Sequence, residues 1–360
     1  MAIYIGSYPS VVGGDGGISV WGADLRPAAP TIALPSPSYL AVHPVAPVLY
    51  AVDEVTDGGV TALAVAADGS LTVVARRSTG GSDPCHLAVT PDGRHLLGAN
   101  YGSGSVCVFR LNPGGTLDDR TDLVDHHGSG PDPSRQGSPH AHHVSVRSDR
   151  TAGDGDRDGD GDGDSTVSVV DLGTDTLYGY RLSAGGRLTP AWRTAAGAGR
   201  GPRHLVATPG GRRYVTDELS STVSVYDPSP AGLRLIHRRP ATLTAPAGVN
   251  YPSGLALSPD NRFLYVANRG NNTIVTFAVV EGGGERGDGD HGDGELVGVD
   301  EISAGGRWPR QFTLDGDLMY VANQHSDRVS VLRVDPASGV PRPTGDRIEV
   351  PAPACVLSHH

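Results

Sequence analysis

The segment PCHLAVTPDGRHLLGANYGSGSVCVF, which begins at Pro84, returns in altered form along the whole chain. PSYLAVHPVAPVLYAVDE begins at Pro37, AHHVSVRSDR at Ala141 and PRHLVATPGGRRYVTDELSSTVSVYD at Pro202. PSGLALSPDNRFLYVANRGNNTIVTF begins at Pro252 and PRQFTLDGDLMYVANQHSDRVSVLRV at Pro309, while a seventh start, PACVLSHH at Pro353, runs out with the chain. Self-similarity at a regular spacing constrains a fold more than local propensity does, because each unit buries its apolar face against the next copy. The starts lie 44 to 61 residues apart, and the gaps holding two acidic inserts, 152–165 and 281–295, shrink when these are removed. That period suits a four-stranded propeller blade of about 40–50 residues.

Within one unit the residues read as strands. A short apolar run such as GLALS is followed by a Pro-Asp-Gly/Asn turn, an alternating strand such as FLYVANR, a second turn with Gly, Asn or Ser and a strand such as TIVTFAV. A weaker fourth strand, such as LVGVDEISA, leads onward. The last unit supplies only its first strand. MAIYIGSYPS, the Gly-rich turn VVGGDGG and ISVWGADL at the N-terminus supply those it lacks. The expected fold is therefore all-β: one seven-bladed propeller spanning 1–360, its last blade shared by the two termini, which leaves few unpaired sheet edges.

Ring closure makes distant residues converge. The first strand of each blade lines the central channel, and its opening position holds Ser38, Cys85, His142, Arg203, Ser253, Arg310 and Ala354 in turn. The next position holds Tyr39, His86, His143, His204, Gly254, Gln311 and Cys355. The second strands return to the same mouth with Asp53-Glu54, Asn100-Tyr101, Asp217-Glu218, Asn268-Arg269 and Asn323-Gln324. Several Arg and His gathered around Glu218 predict a cleft for an anionic small molecule, with an acid/base group inside it.

Composition removes other classes. A formal net charge of −11 argues against nucleic-acid binding, which needs a basic face. No apolar run reaches the roughly 20 residues of a membrane span. The N-terminus reads as a strand, so a cytoplasmic chain is expected, as a monomer or weak homo-oligomer. All 29 basic residues are Arg, which excludes Schiff-base lysines and a Walker-A loop and leaves anion recognition to guanidinium forks. Cys85, Cys107 and Cys355 are widely spaced and read as buried free thiols. No cofactor is implied. His140 and His142 could share a strand face, but no third ligand has a zinc spacing, so no metal is expected. Asp154, Asp156, Asp158 and Gly159 imitate part of a calcium loop, yet Ser165 stands where the bidentate Glu belongs.

SPHAHHVSV (138–146), PRH, the acidic pair before Leu-Ser and NRG together resemble the lactonase family of seven-bladed propellers. That family includes propeller-type 6-phosphogluconolactonases and a fungal 3-carboxy-cis,cis-muconate lactonizing enzyme. The resemblance implies a channel-mouth site of His142, Arg203, Glu218 and Arg269 and a small anionic lactone as substrate. Lactone hydrolysis needs an activated water, a stabilised oxyanion and a proton for the leaving oxygen. On this reading Glu218 or His142 is the base and Arg203 meets the oxyanion. Arg269 and Arg310 hold a phosphate or carboxylate, and His86, His140, His204 and Gln136 orient hydroxyls. Plainer readings stand beside these: Arg203 and Glu218 as an inter-strand ion pair, His86 and His204 as channel wall. A muconate-type isomerase and a non-catalytic protein-binding propeller remain the rival functions.

Overall fold

The computed structural model describes residues 1–9, 16–148, 165–280 and 295–360. These form seven four-stranded antiparallel sheets. One short 3-10 turn, Gln324–Ser326, is the only helix among the described residues. Six blades run in chain order from inner to outer strand. In the first these are Leu40–Val42, Val48–Asp53, Gly59–Val65 and Leu71–Ser78. The seventh closes as expected: the C-terminal strand Pro353–His359 pairs with Ala2–Ser7, which pairs with Gly17–Gly22 and then Pro27–Ala33.

Closure is equally visible in the packing. Seven apolar clusters sit between adjacent blades, and a row of seven blades would have only six such seams. The seam between blades seven and one holds Tyr4, Ile18, Leu49 and Ala51, all wholly buried. The seam between six and seven holds Ile3, Ile5, Tyr320 and Val329. Each large apolar side chain so buried contributes about 1.5–3 kcal/mol.

Two repeated devices steer the chain. In the Ser/Thr-Pro-Asp turns the hydroxyl and carboxylate hold the hairpin. Ser258 Oγ donates to Asp260 Oδ1 at 2.6 Å and accepts the Phe263 amide at 3.0 Å, and Thr90 and Asp92 repeat the arrangement. Each blade-to-blade crossing also needs a sharp change of direction. In five of them the residue before the strand-opening proline is left-handed: Ser36, Asp83, Gly201, Trp308 and Ala352, with φ between 41° and 64°. Four of these are not glycine, and such backbone costs about 1–3 kcal/mol each unless its surroundings enforce it.

The first two strands of blade three pair out to Ser148 opposite Ser165, on either side of the first acidic insert. The calcium-like Asp154–Gly159 pattern, the second insert up to 294 and the turn at 10–15 lie outside the described residues. All three cysteines are free and buried.

Candidate active site

Side chains alternate between faces along a regular strand. The inner strands break that alternation near their openings. In blade two Pro84 lies opposite Asn100 but His86 lies opposite Ala99, so Cys85 is an extra residue. The same register shift brackets His142, Arg203, Arg310 and Ala354 in blades three, four, six and seven. Such bulges bend a strand and re-aim its side chains. Two successive residues per blade can then line the axis. Ser38, Tyr39, Cys85, His86, His142, Arg203, His204, Arg310, Gln311 and Ala354 enclose a cavity of ≈ 20 Å³, room for about one water.

The second strands end in pairs with divided labour. The first member is tied into its own blade or the connection that precedes it. Asp53 accepts from Thr61 at 3.0 Å and pairs with Arg76 at 2.8 Å; Asp217 accepts from Ser224 and Thr222. Asn100 donates to Ser105 at 2.9 Å, Asn268 to the Ala241 carbonyl at 2.8 Å and Asn323 to Ser330 at 3.0 Å. The second member carries the charge of the mouth. Glu218 Oε1 accepts from Arg135 Nη2 at 2.6 Å, and Oε2 accepts from Arg269 Nη2 at 2.5 Å. Arg203 Nε stands 2.8 Å from Oε2 as an ion-pair partner, but its N–H has no aligned acceptor. Glu54 accepts from Tyr8 at 2.7 Å and from Arg310 at 3.4 Å.

Electrostatics at this mouth are one-sided. Four guanidiniums (Arg135, Arg203, Arg269, Arg310) face the two carboxylates they pair with, an excess of positive charge that Asp83, near Glu54 and Cys85, offsets only in part. Burial pushes the Glu218 carboxyl up, but Arg269, Arg203 and Arg135 together hold it well below the usual carboxylate range. Burial, then crowding by Arg269 and Arg310, lowers Arg203 to about 9 despite Glu218. Burial, then Arg203, keeps His142 well below its ordinary value, so its imidazole is neutral. Burial raises the Cys85 thiol, which donates to the His142 carbonyl at 3.3 Å and is no thiolate nucleophile.

Aromatic faces hold the arginines in place. Arg269 lies 5.4 Å from the Trp308 ring and 5.9 Å from Tyr251; Arg135 lies 5.7 Å from Tyr251 and Arg310 lies 5.0 Å from Tyr8. His140 stacks on Tyr101 at 4.4 Å and gives its Nδ1 proton to the Tyr101 carbonyl at 2.8 Å. Its backbone amide donates to Asp171.

The structure thus brings His142, Arg203, Glu218, Arg269 and Arg310 together, with His86 and His204 lining the axis beside them. Gln136 is a correction. It is fully buried, its amide donates to the Leu172 carbonyl at 2.8 Å, and its Oε1 accepts from Asp132, so its amide holds its own loop instead of reaching the mouth. Its neighbour Arg135 is the residue that reaches Glu218. Arg135 occupies no repeat position, so spacing gave no sign of it. Tyr251 and Trp308 stand just before strand-opening prolines, a repeat position that could have pointed to them.

A closed seven-bladed ring with an arginine-rich mouth beside a neutral imidazole defines a class, and the chain belongs to it. The family described as Lactonase, 7-bladed beta-propeller, matches residues 2–358. Among its relatives, the chain is 30% identical to the 6-phosphogluconolactonase of Bacillus subtilis, over 99% of this chain and 98% of that one. A solved structure of a Pseudomonas aeruginosa periplasmic gluconolactonase is 30% identical with a TM-score of 0.82, covering 99% and 98% of the two chains. A Lactobacillus plantarum protein of known structure superposes with a TM-score of 0.84 at 28% identity, covering 99% of each chain.

Proposed function

We propose that this lactonase-family chain hydrolyses an anionic sugar lactone, 6-phosphogluconolactone first among them. The observation that carries the reading is the excess of guanidinium over carboxylate charge beside a neutral, half-buried His142. Such a mouth gains most from an anionic ligand, and phosphate offers oxygens for several guanidinium forks at once. The similarity to the Bacillus subtilis 6-phosphogluconolactonase supports the same substrate.

The side chains divide the work. Arg269, Arg310 and Arg135 hold the phosphate. His142 takes a proton from water as its oxygen attacks the lactone carbonyl. The unengaged Arg203 N–H meets the developing oxyanion. Collapse of the tetrahedral intermediate breaks the ring C–O bond, and the imidazolium returns its proton to the leaving alkoxide. Between the two candidate bases, the geometry favours His142. Both carboxylate oxygens of Glu218 are taken up by arginines, and its part is to position their guanidiniums.

The test is a coupled assay of 6-phosphogluconolactone hydrolysis, corrected for the spontaneous rate. Glucono-1,5-lactone and 3-carboxymuconolactone run in parallel. Turnover well above the spontaneous rate, with a preference for the phosphorylated lactone, is expected. No acceleration of any lactone overturns the reading, and preference for the dicarboxylate replaces the substrate.

A further inference from the structure

One level along the axis from the arginines, the residues that follow the bulges in blades two, three and four are all histidines. The His86 and His143 rings stand 3.8 Å apart between centroids, His143 and His204 4.2 Å, and His86 and His204 5.7 Å. One ring nitrogen from each lies within 4.8 Å of the other two. His86 and His143 are each 6% exposed. Among the described residues His86 Nε2 and His143 Nδ1 have no hydrogen-bond partner. A buried polar atom left unpaired costs about 1–3 kcal/mol, and two side by side in one axial cluster are a costly arrangement for a mere channel wall.

We propose that His86, His143 and His204 form a three-histidine site for a divalent first-row transition ion of the Zn²⁺ class, set on the propeller axis beside the anion-binding mouth. Tetrahedral bonds of about 2.0–2.1 Å place ligand nitrogens roughly 3.4 Å apart, so the cluster closes on an ion by side-chain rotation alone. An all-imidazole donor set suits Zn²⁺, Cu²⁺ or Ni²⁺ and disfavours Ca²⁺ and Mg²⁺. Ligation through His86 Nε2 moves that ring's proton to Nδ1. It therefore breaks only the contact with the Val144 amide, 3.5 Å long and at the limit of a hydrogen bond. The adjoining ≈ 20 Å³ cavity accommodates one water or hydroxide as fourth ligand. The nearby Arg203 charge opposes a bare dication and favours an anion in that fourth position.

The site is independent of the lactone reading, and its test measures metal, not turnover. The full chain is dialysed against chelator, then titrated with ZnCl₂ by calorimetry, and with CoCl₂ while the visible spectrum is followed. One equivalent per chain, a rise in Tm on Zn²⁺ addition and a tetrahedral Co²⁺ spectrum are expected. His143→Asn lowers the affinity at least tenfold and abolishes the spectrum. His204→Gln, at a half-buried position where a fold defect is less of a concern, does the same. A His359→Gln/His360→Gln variant keeps the full equivalent, since those terminal rings stand apart from the cluster. Wild-type uptake no greater than that of His143→Asn and His204→Gln, or uptake lost only with the terminal pair, overturns the proposal.

Discussion

Replacing Glu218 by Gln changes one atom type at the centre of the mouth and leaves Arg135, Arg203 and Arg269 facing one another without their shared anion. Glu218 is 3% exposed, Arg203 5% and Arg269 6%, so water cannot take over the screening. Removing one partner of a buried ion pair costs about 3–5 kcal/mol. With an unfolding entropy of about 2.1 cal/mol/K per residue, 360 residues give roughly 0.76 kcal/mol/K, so a loss of ~4 kcal/mol lowers Tm by about 5 °C. The sign with pH follows from the depressed carboxyl. Its stabilising contribution is fully present above the ordinary Glu value and is lost only as pH falls through the lowered folded value. The two proteins therefore differ throughout the neutral range and converge only in strong acid. Inorganic phosphate should repair the variant, because an added anion replaces the missing charge; at 100 times its Kd it restores about 2.7 kcal/mol. Scanning calorimetry of both proteins with and without phosphate provides the measurement. A Tm within 1 °C of wild type, with no larger phosphate response in Glu218→Gln, would refute the view that this carboxylate holds the guanidinium ring together.

Other consequences follow from the same geometry. His142→Asn should lower kcat at least about 100-fold with little change in KM, and because the imidazole is neutral far below pH 6.5, the acid limb of wild-type kcat should lie well below that value; an acid limb centred near 6.5 counts against His142 as base. Arg310→Gln should raise KM for the phosphorylated lactone at least about tenfold and spare the unphosphorylated one, as expected for loss of a charge-assisted contact worth about 1.5–3 kcal/mol; equal effects on both substrates remove it as a phosphate anchor. Asp217 is pushed up to about 6 by burial, against hydrogen bonds from Ser224 and Thr222 and the charge of Arg238. A raised carboxyl stabilises the fold on its acid side and loses that contribution as pH rises from about 4 to 6. Asp217→Asn should therefore flatten the stability profile over that window, and an unchanged profile from urea titrations would assign the slope to another group.

The repeat made the fold legible because a propeller writes its architecture into spacing. Pro37, Pro84, Pro202, Pro252, Pro309 and Pro353 mark blade openings, and a truncated last unit next to a surplus N-terminal one leaves closure as the solution that pairs every strand. The same spacing brought His142, Arg203 and Glu218 to one mouth, since repeat positions map onto the axis by symmetry. What it could not show is departure from symmetry. Arg135 and Gln136 sit in a connection outside the repeat, where no period tells which of two adjacent polar residues reaches the carboxylate. The backbone there decides: Gln136 is drawn inward by the Leu172 carbonyl, and Arg135 is left to span to Glu218. The bulges are a subtler case. A strand read by alternation assigns Arg203 and His204 to opposite faces, and only the slipped register between Pro202 and His204 lets both line the axis. That slip stacks two layers in one channel, guanidiniums above and imidazoles below. A single residue inserted at the opening of an inner strand thereby lets two successive side chains, and not one, face the axis of the ring.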